Sequence, residues 1–346
     1  MTIRILAAGD HFVLNRLLIE AVRAQVPDPA KVEFAELTLP WPVQPFGPVG
    51  EVEEASGSEE ELISALAGAQ ICVTQLAGLT EKVLAESPEL RLFGVSRGGP
   101  VNANLTAATE HRVAVTFAPG RNAVATAEHA MALILAAVRR IPGTHAELVG
   151  GVWRGDLYQY DQVGPELENA EVGVVGYGAI GARVGRMLAG FGARVLVYDP
   201  YLDGTPAGVE RVELDELMRR SSVVSLHARV TEETKGMINR ARIESMPAGS
   251  VLVNCARGAL LDYDAVCDAL DSGHLFGAGF DVFDTEPIPA GSRLPRTPNV
   301  VLTPHLAGAS KQTAAKAARI VAADVGRFLR GEPLAHCANP EALRAP

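Results

Sequence analysis

The stretch VVGYGAIG, holding Gly176, Gly178 and Gly181, constrains this chain more than any other, together with VLVYDP, which ends near Asp199. An apolar, strand-like run (Val172, Val174, Val175) precedes the first glycine, and a helix-like run (Ala182 to Phe191) follows the last. The second apolar run reaches its acid 18 positions beyond Gly181 (199 − 181). Glycines at this spacing permit a tight turn, close approach of the backbone to a pyrophosphate, and close packing of strand on helix. The turn, with Ala179 and Ile180, then presents helix N-terminal N–H groups and a partial positive charge to phosphates. Asp199 can accept from both hydroxyls of a ribose and repels a 2′-phosphate, so the pattern reads as NAD rather than NADP. Three glycines alone say little. Strand, turn, helix, strand and acid in register predict a dinucleotide-binding α/β unit.

The 346 residues suffice for two domains with substantial cores, and 48% hydrophobic residues mark a globular chain. The net charge of −10 and the lack of any Lys/Arg run argue against nucleic acid as a partner. No apolar stretch approaches the roughly 20 residues of a membrane span. The opening MTIRILAAGD has no long apolar core of the secretory kind and reads as a first buried strand. Cys72, Cys255, Cys267 and Cys337 have neither metal nor redox spacing, so reduced thiols in a cytoplasm and no metal are expected.

Strand-like and helix-like runs alternate almost throughout, which implies α/β architecture with parallel sheets. The early strands are read at Ile3–Ala7, Val32–Leu37, Ile71–Gln75, Leu90–Val95 and Val113–Phe117, with helices such as Phe12–Ala24 and Glu59–Ala67 between them. The Pro/Gly-rich segment 39–58 reads as an irregular surface loop. A long, strongly apolar helix is expected from Val124 to about Val149, buried on several sides. It leads into an irregular arm carrying Trp153, Tyr158 and Tyr160, aromatics of the kind that mark a subunit interface. Later strands are read at Val223–His227, Ser250–Asn254, Ala278–Asp281 and Val300–Thr303, and an amphipathic last helix at Lys311–Leu329, ending at Gly331.

Three further stretches carry chemistry, each at the end of a predicted strand: VLVNCARGALLD with Arg257, AGFDVFDTEP with Asp281 and Glu286, and VVLTPHLAGAS with His305. Ligands of open α/β sheets sit beyond the carboxyl ends of strands, so these loops can converge on one crevice with the glycine turn. A carbonyl that accepts hydride needs a proton donor, and histidine suits that task near neutral pH. A carboxylate beside it favours the imidazolium and orients the ring. An arginine can hold a substrate carboxylate through paired hydrogen bonds and polarise the carbonyl. Taken singly, His305 could be a buried hydrogen-bonded histidine, Glu286 a solvated turn and Arg257 a surface cap. Following strands downstream of a dinucleotide motif, the three read as a catalytic set. His129 and His274 read as structural.

These residues resemble the D-isomer-specific 2-hydroxyacid dehydrogenases over essentially the whole chain. The matching stretches are ATAEHAMALILAAVRR, VGVVGYGAIGARVGRMLAGFGARVLVYDP, VVSLHARVTEETKGMI, MPAGSVLVNCARGALLD, GAGFDVFDTEP and LTPHLAGAS. The resemblance implies two Rossmann-like doubly wound domains: a substrate domain from both chain ends (1–122 and 310–346) and an NAD-binding domain inserted between them (123–309). It implies a homodimer built on the long helix. It makes His305 the acid/base, Glu286 its carboxylate partner, Arg257 the substrate arginine, Asp199 the adenosine-ribose ligand and Asp281 the acid near the nicotinamide amide. His227, Cys255 and the His305–Gly308 backbone, with Ala307 and Gly308, line the cofactor site in this comparison. Related formate dehydrogenases have glutamine where Glu286 stands, which counts against formate.

The loop FGVSRGGPVNANL resembles the family's substrate-carboxylate loop, with Gly98 and Gly99 as donors, while Pro100 offers no N–H. Arg97 stands where the family commonly has a small residue, and is expected to meet a second negative charge, a phosphate or distal carboxylate. The phosphoglycerate dehydrogenases resemble one another in an I-R-S-R-T stretch; here VTQLAG places Thr74 and Leu76 at the arginine positions, leaving Arg97 or Arg121 for a phosphate. The chain also ends soon after its last helix, where many of those enzymes carry a further domain. The expected activity is NAD-dependent interconversion of a D-2-hydroxy acid and its 2-keto acid, on a small anionic substrate such as 3-phosphoglycerate. Glyoxylate/hydroxypyruvate reductase, phosphite dehydrogenase and an NAD(H)-sensing corepressor-like protein are the alternatives.

Overall fold

The computed structural model describes residues 2–41 and 46–343; part of the irregular segment, residues 42–45, and the last three positions of the expected substrate domain lie outside the described residues. The chain forms two compact units, one from residues 1–122 and 310–346, the other from 123–309.

The first unit runs β1 (Ile3–Gly9), α1 (Asn15–Arg23), β2 (Val32–Thr38), α2 (Glu59–Leu66), β3 (Ile71–Thr74), α3 (Glu81–Ala85), β4 (Leu92–Val95), α4 (Leu105–Glu110) and β5 (Ala114–Phe117). Its five strands pair in parallel in the order β2-β1-β3-β4-β5. Both sheet faces are covered, and the period-2 alternation of β1 shows it. Leu6 and Ala8 pack among residues of α2, α3 and α4, whereas Ile5 and Ala7 pack on the opposite layer. That opposite layer takes Leu18 and Val22 of α1 and, from the chain's far end, Ala318, Val321 and Val325.

The second unit opens with α5 (Ala123–Val138) and α6 (Ile141–Val149), then runs β6 (Glu171–Val175), α7 (Gly181–Gly190), β7 (Arg194–Tyr198), β8 (Glu210–Arg211), α8 (Leu214–Arg220), β9 (Val223–Leu226), α9 (Arg240–Glu244), β10 (Ser250–Asn254), α10 (Tyr263–Asp271), β11 (Leu275–Phe280) and β12 (Val300–Leu302). The seven strands are all parallel, in the order β12-β11-β10-β9-β6-β7-β8. The order reverses between β6 and β9, and that switch point is where such sheets bind ligands. Again β10 divides its side chains by parity: Val251 and Val253 pack with α5 and α7, Leu252 with α8 to α10. After β12 the chain returns to the first unit as α11 (Lys311–Leu329), capped by the Ser310 hydroxyl, which accepts from Thr313 N–H.

The structure departs from the sequence reading at the long helix. It is two helices, broken at Arg139–Arg140, where Arg140 takes a left-handed φ of 51°. Pro142 explains the break: it has no N–H for the Val138 carbonyl, and its ring would crowd that carbonyl in a continuous helix. The expected burial holds for α5, where Ala127, Ala130, Ile134 and Ala137 are fully enclosed, but α6 has no buried residue. The arm beyond it holds two single turns, Gly155–Tyr158 and Tyr160–Gln162, and leaves Trp153, Tyr158 and Tyr160 almost fully exposed. No helix among the described residues is long and apolar enough to cross a membrane.

Candidate active site

Each glycine of the turn after β6 has its own physical reason. Gly176 takes a φ of 88°, and a Cβ there would lie 2.7 Å from the Ala228 nitrogen. A Cβ on Gly181 would lie 2.0 Å from the Gly176 carbonyl oxygen, so this glycine lets α7 close on the turn. Gly178 has nothing within 4 Å of its Cβ position, so no protein contact requires a glycine there. A surface that a ligand's phosphates approach does require one, so the turn fits NAD. Asp199 follows β7, and its carboxylate accepts from Tyr177 N–H at 2.8 Å and Tyr201 N–H at 3.0 Å. These bonds fix the acid beside the glycine turn.

Across the switch point, His227 follows β9. Its Nε2 lies 2.9 Å from the Ser225 hydroxyl, and its Nδ1 is buried without a hydrogen-bond partner among the described residues. Burial lowers the imidazole pKa to about 4, so the ring is neutral at physiological pH. The nearby Cys255 thiol is buried, and burial and the Asp281 charge push its pKa up, away from reactivity.

Arg257 is presented by a turn after β10 that sequence reasoning missed as a device. The fully buried Asn254 accepts from Ala256 N–H at 2.9 Å and donates to the Arg257 carbonyl at 2.9 Å. Arg257 itself is exposed, with Nη1 on the Ala256 carbonyl at 2.7 Å. Glu286 lies in the loop after β11. Its Oε1 accepts from Phe283 N–H at 3.0 Å, and its Oε2 meets His305 Nδ1 at 2.7 Å. Burial raises the Glu286 carboxyl more than any other single influence. The His305 hydrogen bond, the Phe283 N–H and the charges of His305 and Arg257 together outweigh it, and the carboxyl sits below its ordinary value. An ionised carboxylate only accepts, so Nδ1 donates and Nε2 is left as the ring's second reactive atom. The His305 side chain is 51% exposed, and its backbone holds a φ of 53°, unusual for a residue with a Cβ.

Asp281 explains how that conformation is kept. Its buried carboxylate accepts from the Thr303 hydroxyl at 2.6 Å, from Leu306 N–H at 2.8 Å and from Ala307 N–H at 2.8 Å. The acid thus ties down both sides of His305. Because Thr303 spends its proton on Asp281, His129 Nε2, 2.9 Å away, donates to the Thr303 oxygen. The role expected of Asp281 at a nicotinamide amide meets a carboxylate whose two oxygens already serve the turn. His274 contacts the Ile243 carbonyl at 3.2 Å.

The second unit therefore brings together the glycine turn, Asp199, His227, Cys255, Arg257, Asp281, Glu286, His305, Ala307 and Gly308 on strand-end loops of one sheet. Arg97, Gly98 and Gly99 belong to the first unit, in the loop after β4. Gly98 and Gly99 face open space. Arg97 Nη1 donates to the Glu54 carbonyl at 3.0 Å, Nη2 pairs with the Glu54 carboxylate, and the guanidinium lies 5.9 Å from the Phe46 ring centre. Its charge is matched within the protein. Thr74 bonds the Ala8 carbonyl at 2.7 Å, and Leu76 is fully buried, so neither position offers a cation.

The family described as D-isomer specific 2-hydroxyacid dehydrogenase, NAD binding domain, matches residues 131–307. The chain is 37% identical over 306 residues to the D-3-phosphoglycerate dehydrogenase of Mycobacterium tuberculosis, covering 87% of this chain and 57% of that one. It thus spans little more than half the length of that relative. It is 35% identical over 296 residues to the glyoxylate reductase of Korarchaeum cryptofilum, covering 84% of this chain and 89% of that one. The structure of an NAD-dependent formate dehydrogenase from Staphylococcus aureus in complex with NAD superposes with a TM-score of 0.77 at 26% identity, covering 97% and 98% of the two chains. With its glycine turn and strand-end loops inside the matched region, this chain belongs to the D-isomer specific 2-hydroxyacid dehydrogenase family.

Proposed function

We propose that this protein is an NAD-dependent dehydrogenase that interconverts a D-2-hydroxy acid and its 2-keto acid. The observation that carries the reading is the 2.7 Å bond between His305 Nδ1 and Glu286, with Arg257 close enough to stabilise the Glu286 carboxylate. In reduction, protonated His305 gives its Nε2 proton to the carbonyl oxygen as that oxygen gains negative charge. Glu286 balances the imidazolium and keeps Nε2 aimed outward. Arg257 holds the substrate carboxylate and polarises the adjacent carbonyl. NAD, when bound, supplies or accepts the hydride. In oxidation, the same imidazole starts neutral and takes the hydroxyl proton. Asp281 holds the turn that carries it. The substrate domain is the unit built from both chain ends, with Gly98 and Gly99 receiving the carboxylate. The exposed Trp153, Tyr158 and Tyr160 are read as the surface covered by a second copy; light scattering tests that.

The likeness to phosphoglycerate dehydrogenase covers about half of that enzyme, while the likeness to glyoxylate reductase covers nearly all of it, so both substrates belong in the test. The experiment is NADH oxidation with glyoxylate, hydroxypyruvate and phosphohydroxypyruvate, with phosphite and NAD in parallel. Turnover of a keto acid, lost in His305→Gln, supports the reading. Tight NADH binding with no turnover of any compound overturns it in favour of a dinucleotide sensor.

A further inference from the structure

The five-stranded sheet of the first unit has its own switch point, between β1 and β3, and two charged side chains stand at its carboxyl edge. Asp10 immediately follows β1 and is fully enclosed. Its Oδ1 accepts from Phe12 N–H at 2.7 Å and Val13 N–H at 2.8 Å, whereas its Oδ2 is buried with no partner among the described residues. Arg121 lies four residues beyond β5, at the opposite end of the strand order from β1. Three strand spacings, about 14 Å, separate those strands, yet the Arg121 guanidinium lies 6.0 Å from the Phe12 ring centre beside β1. It therefore reaches back over the ends of β3 and β4. Its Nε and Nη1 are buried with no hydrogen-bond partner among the described residues. Asp10 is near enough to act on its charge, yet neither Arg121 Nε nor Nη1 hydrogen-bonds to Asp10 Oδ2.

A desolvated guanidinium with two unspent donors is costly unless an acceptor meets it. Asp10 offsets part of that charge but leaves both donors without an acceptor. The loop after β4, with Gly98 and Gly99, emerges between the strands that Arg121 spans. The cation that sequence reasoning placed in that loop, Arg97, is matched by Glu54. We propose that Arg121 is the receptor for a second anionic group on the substrate, and that this enzyme acts on a 2-hydroxy acid bearing a phosphate or carboxylate at its far end. Asp10 Oδ2 then accepts from a hydroxyl of the same ligand. The substrate half of this proposal rests on the dehydrogenase reading above.

The test uses the whole protein with NADH. Wild type, Arg121→Gln and Arg121→Lys are compared on glyoxylate, which has a single anion, phosphohydroxypyruvate, and 2-oxoglutarate. Wild type is expected to prefer one of the two anion-tailed acids. In Arg121→Gln, KM for that acid rises about 10- to 100-fold, the cost of a lost charged hydrogen bond, with kcat changed far less. The ratio of its kcat/KM to that for glyoxylate falls by the same factor, and Arg121→Lys restores part of it. The acid that responds identifies phosphate or carboxylate. An unchanged ratio, or a wild-type preference for glyoxylate, overturns the proposal. Thermal unfolding with inorganic phosphate and with succinate separates this from failure of the dehydrogenase reading. With no turnover of any keto acid, Arg121-dependent stabilisation by either anion still supports the receptor, and its absence rejects it. Should Arg121→Gln not fold, Arg121→Lys carries both comparisons.

Discussion

Gly258 is the position where one methyl group should do the most damage. It follows Arg257 directly, and a Cβ there would lie 1.9 Å from the Phe283 carbonyl carbon, 2.0 Å from its oxygen and 2.4 Å from the Asp284 nitrogen. Carbon atoms pack at about 3.5 Å or more, so the two segments must separate by roughly 1.5 Å in Gly258→Ala. Both neighbours of the clash belong to the site. One side carries Arg257, and the other supplies the Phe283 N–H that holds Glu286 against His305. Overpacking of this kind costs about 1–3 kcal/mol, which should lower Tm by roughly 1–4 °C at this chain length. Displacement of catalytic groups by ~1 Å costs about 100-fold in rate, so kcat/KM should fall by at least that factor while NADH affinity is largely kept. Circular dichroism melting, NADH titration and steady-state reduction of the best keto acid measure the three effects. Gly190→Ala is the control: nothing lies within 4 Å, the residue is exposed in α7, and the change should be neutral or slightly stabilising. A Gly258→Ala protein with wild-type kcat/KM would refute the assignment of this contact to catalytic geometry.

Three other outcomes follow from the site. Gly178→Val should leave Tm nearly unchanged, because its Cβ meets open space, yet weaken NADH binding at least 10-fold by titration; unaltered affinity would remove the glycine turn from the cofactor site. Partly buried His227, whose ring nitrogen Nδ1 is enclosed, should make the fold acid-sensitive. The folded ring titrates near 4 and the unfolded one near 6.5, so between these values the unfolded chain holds the extra proton and acid favours unfolding. The residue's share is about 2 kcal/mol between pH 7 and pH 5, and urea midpoints at the two pH values should show that difference shrinking in His227→Gln. Reduction should have a lower pH optimum than oxidation, since one needs the imidazolium and the other the neutral ring; coincident optima in single-turnover measurements would count against His305 as the acid/base.

What the sequence made legible was local. Most strands of both sheets are short apolar runs enriched in Val and Ile, and the chemistry-bearing residues fall past their ends, where position along the chain suffices. The glycine turn could be read because its three constraints lie within six residues. Features made by distant partners could not. Glu54 matches Arg97 from 43 positions away, and Arg121 reaches Phe12 from 109 positions away, so neither arginine's surroundings follow from its neighbours. The family pattern marks Asp281 as important but not as the clamp on His305, because two of its three donors are backbone N–H groups that carry no side-chain signature. The break between α5 and α6 was visible as Pro142, but the apolar run through Val138 masked it. The two-residue strand β8, Glu210–Arg211, has no apolar pattern to read.

Construction of the first unit from both chain ends has a consequence for biosynthesis. Ile5, Ala7, Ile71 and Leu92 line the sheet face that is covered in part by Ala318 and Val321 of α11. A nascent chain that has reached residue 309 already contains every strand of both sheets, and the inserted unit can close its own core. The first sheet must still wait with one greasy side partly open until the last helix emerges. The inserted unit should therefore become protease-resistant first. Chains stopped just short of α11 should recruit chaperones or self-associate through that unfinished face, although all of their candidate catalytic residues have been made.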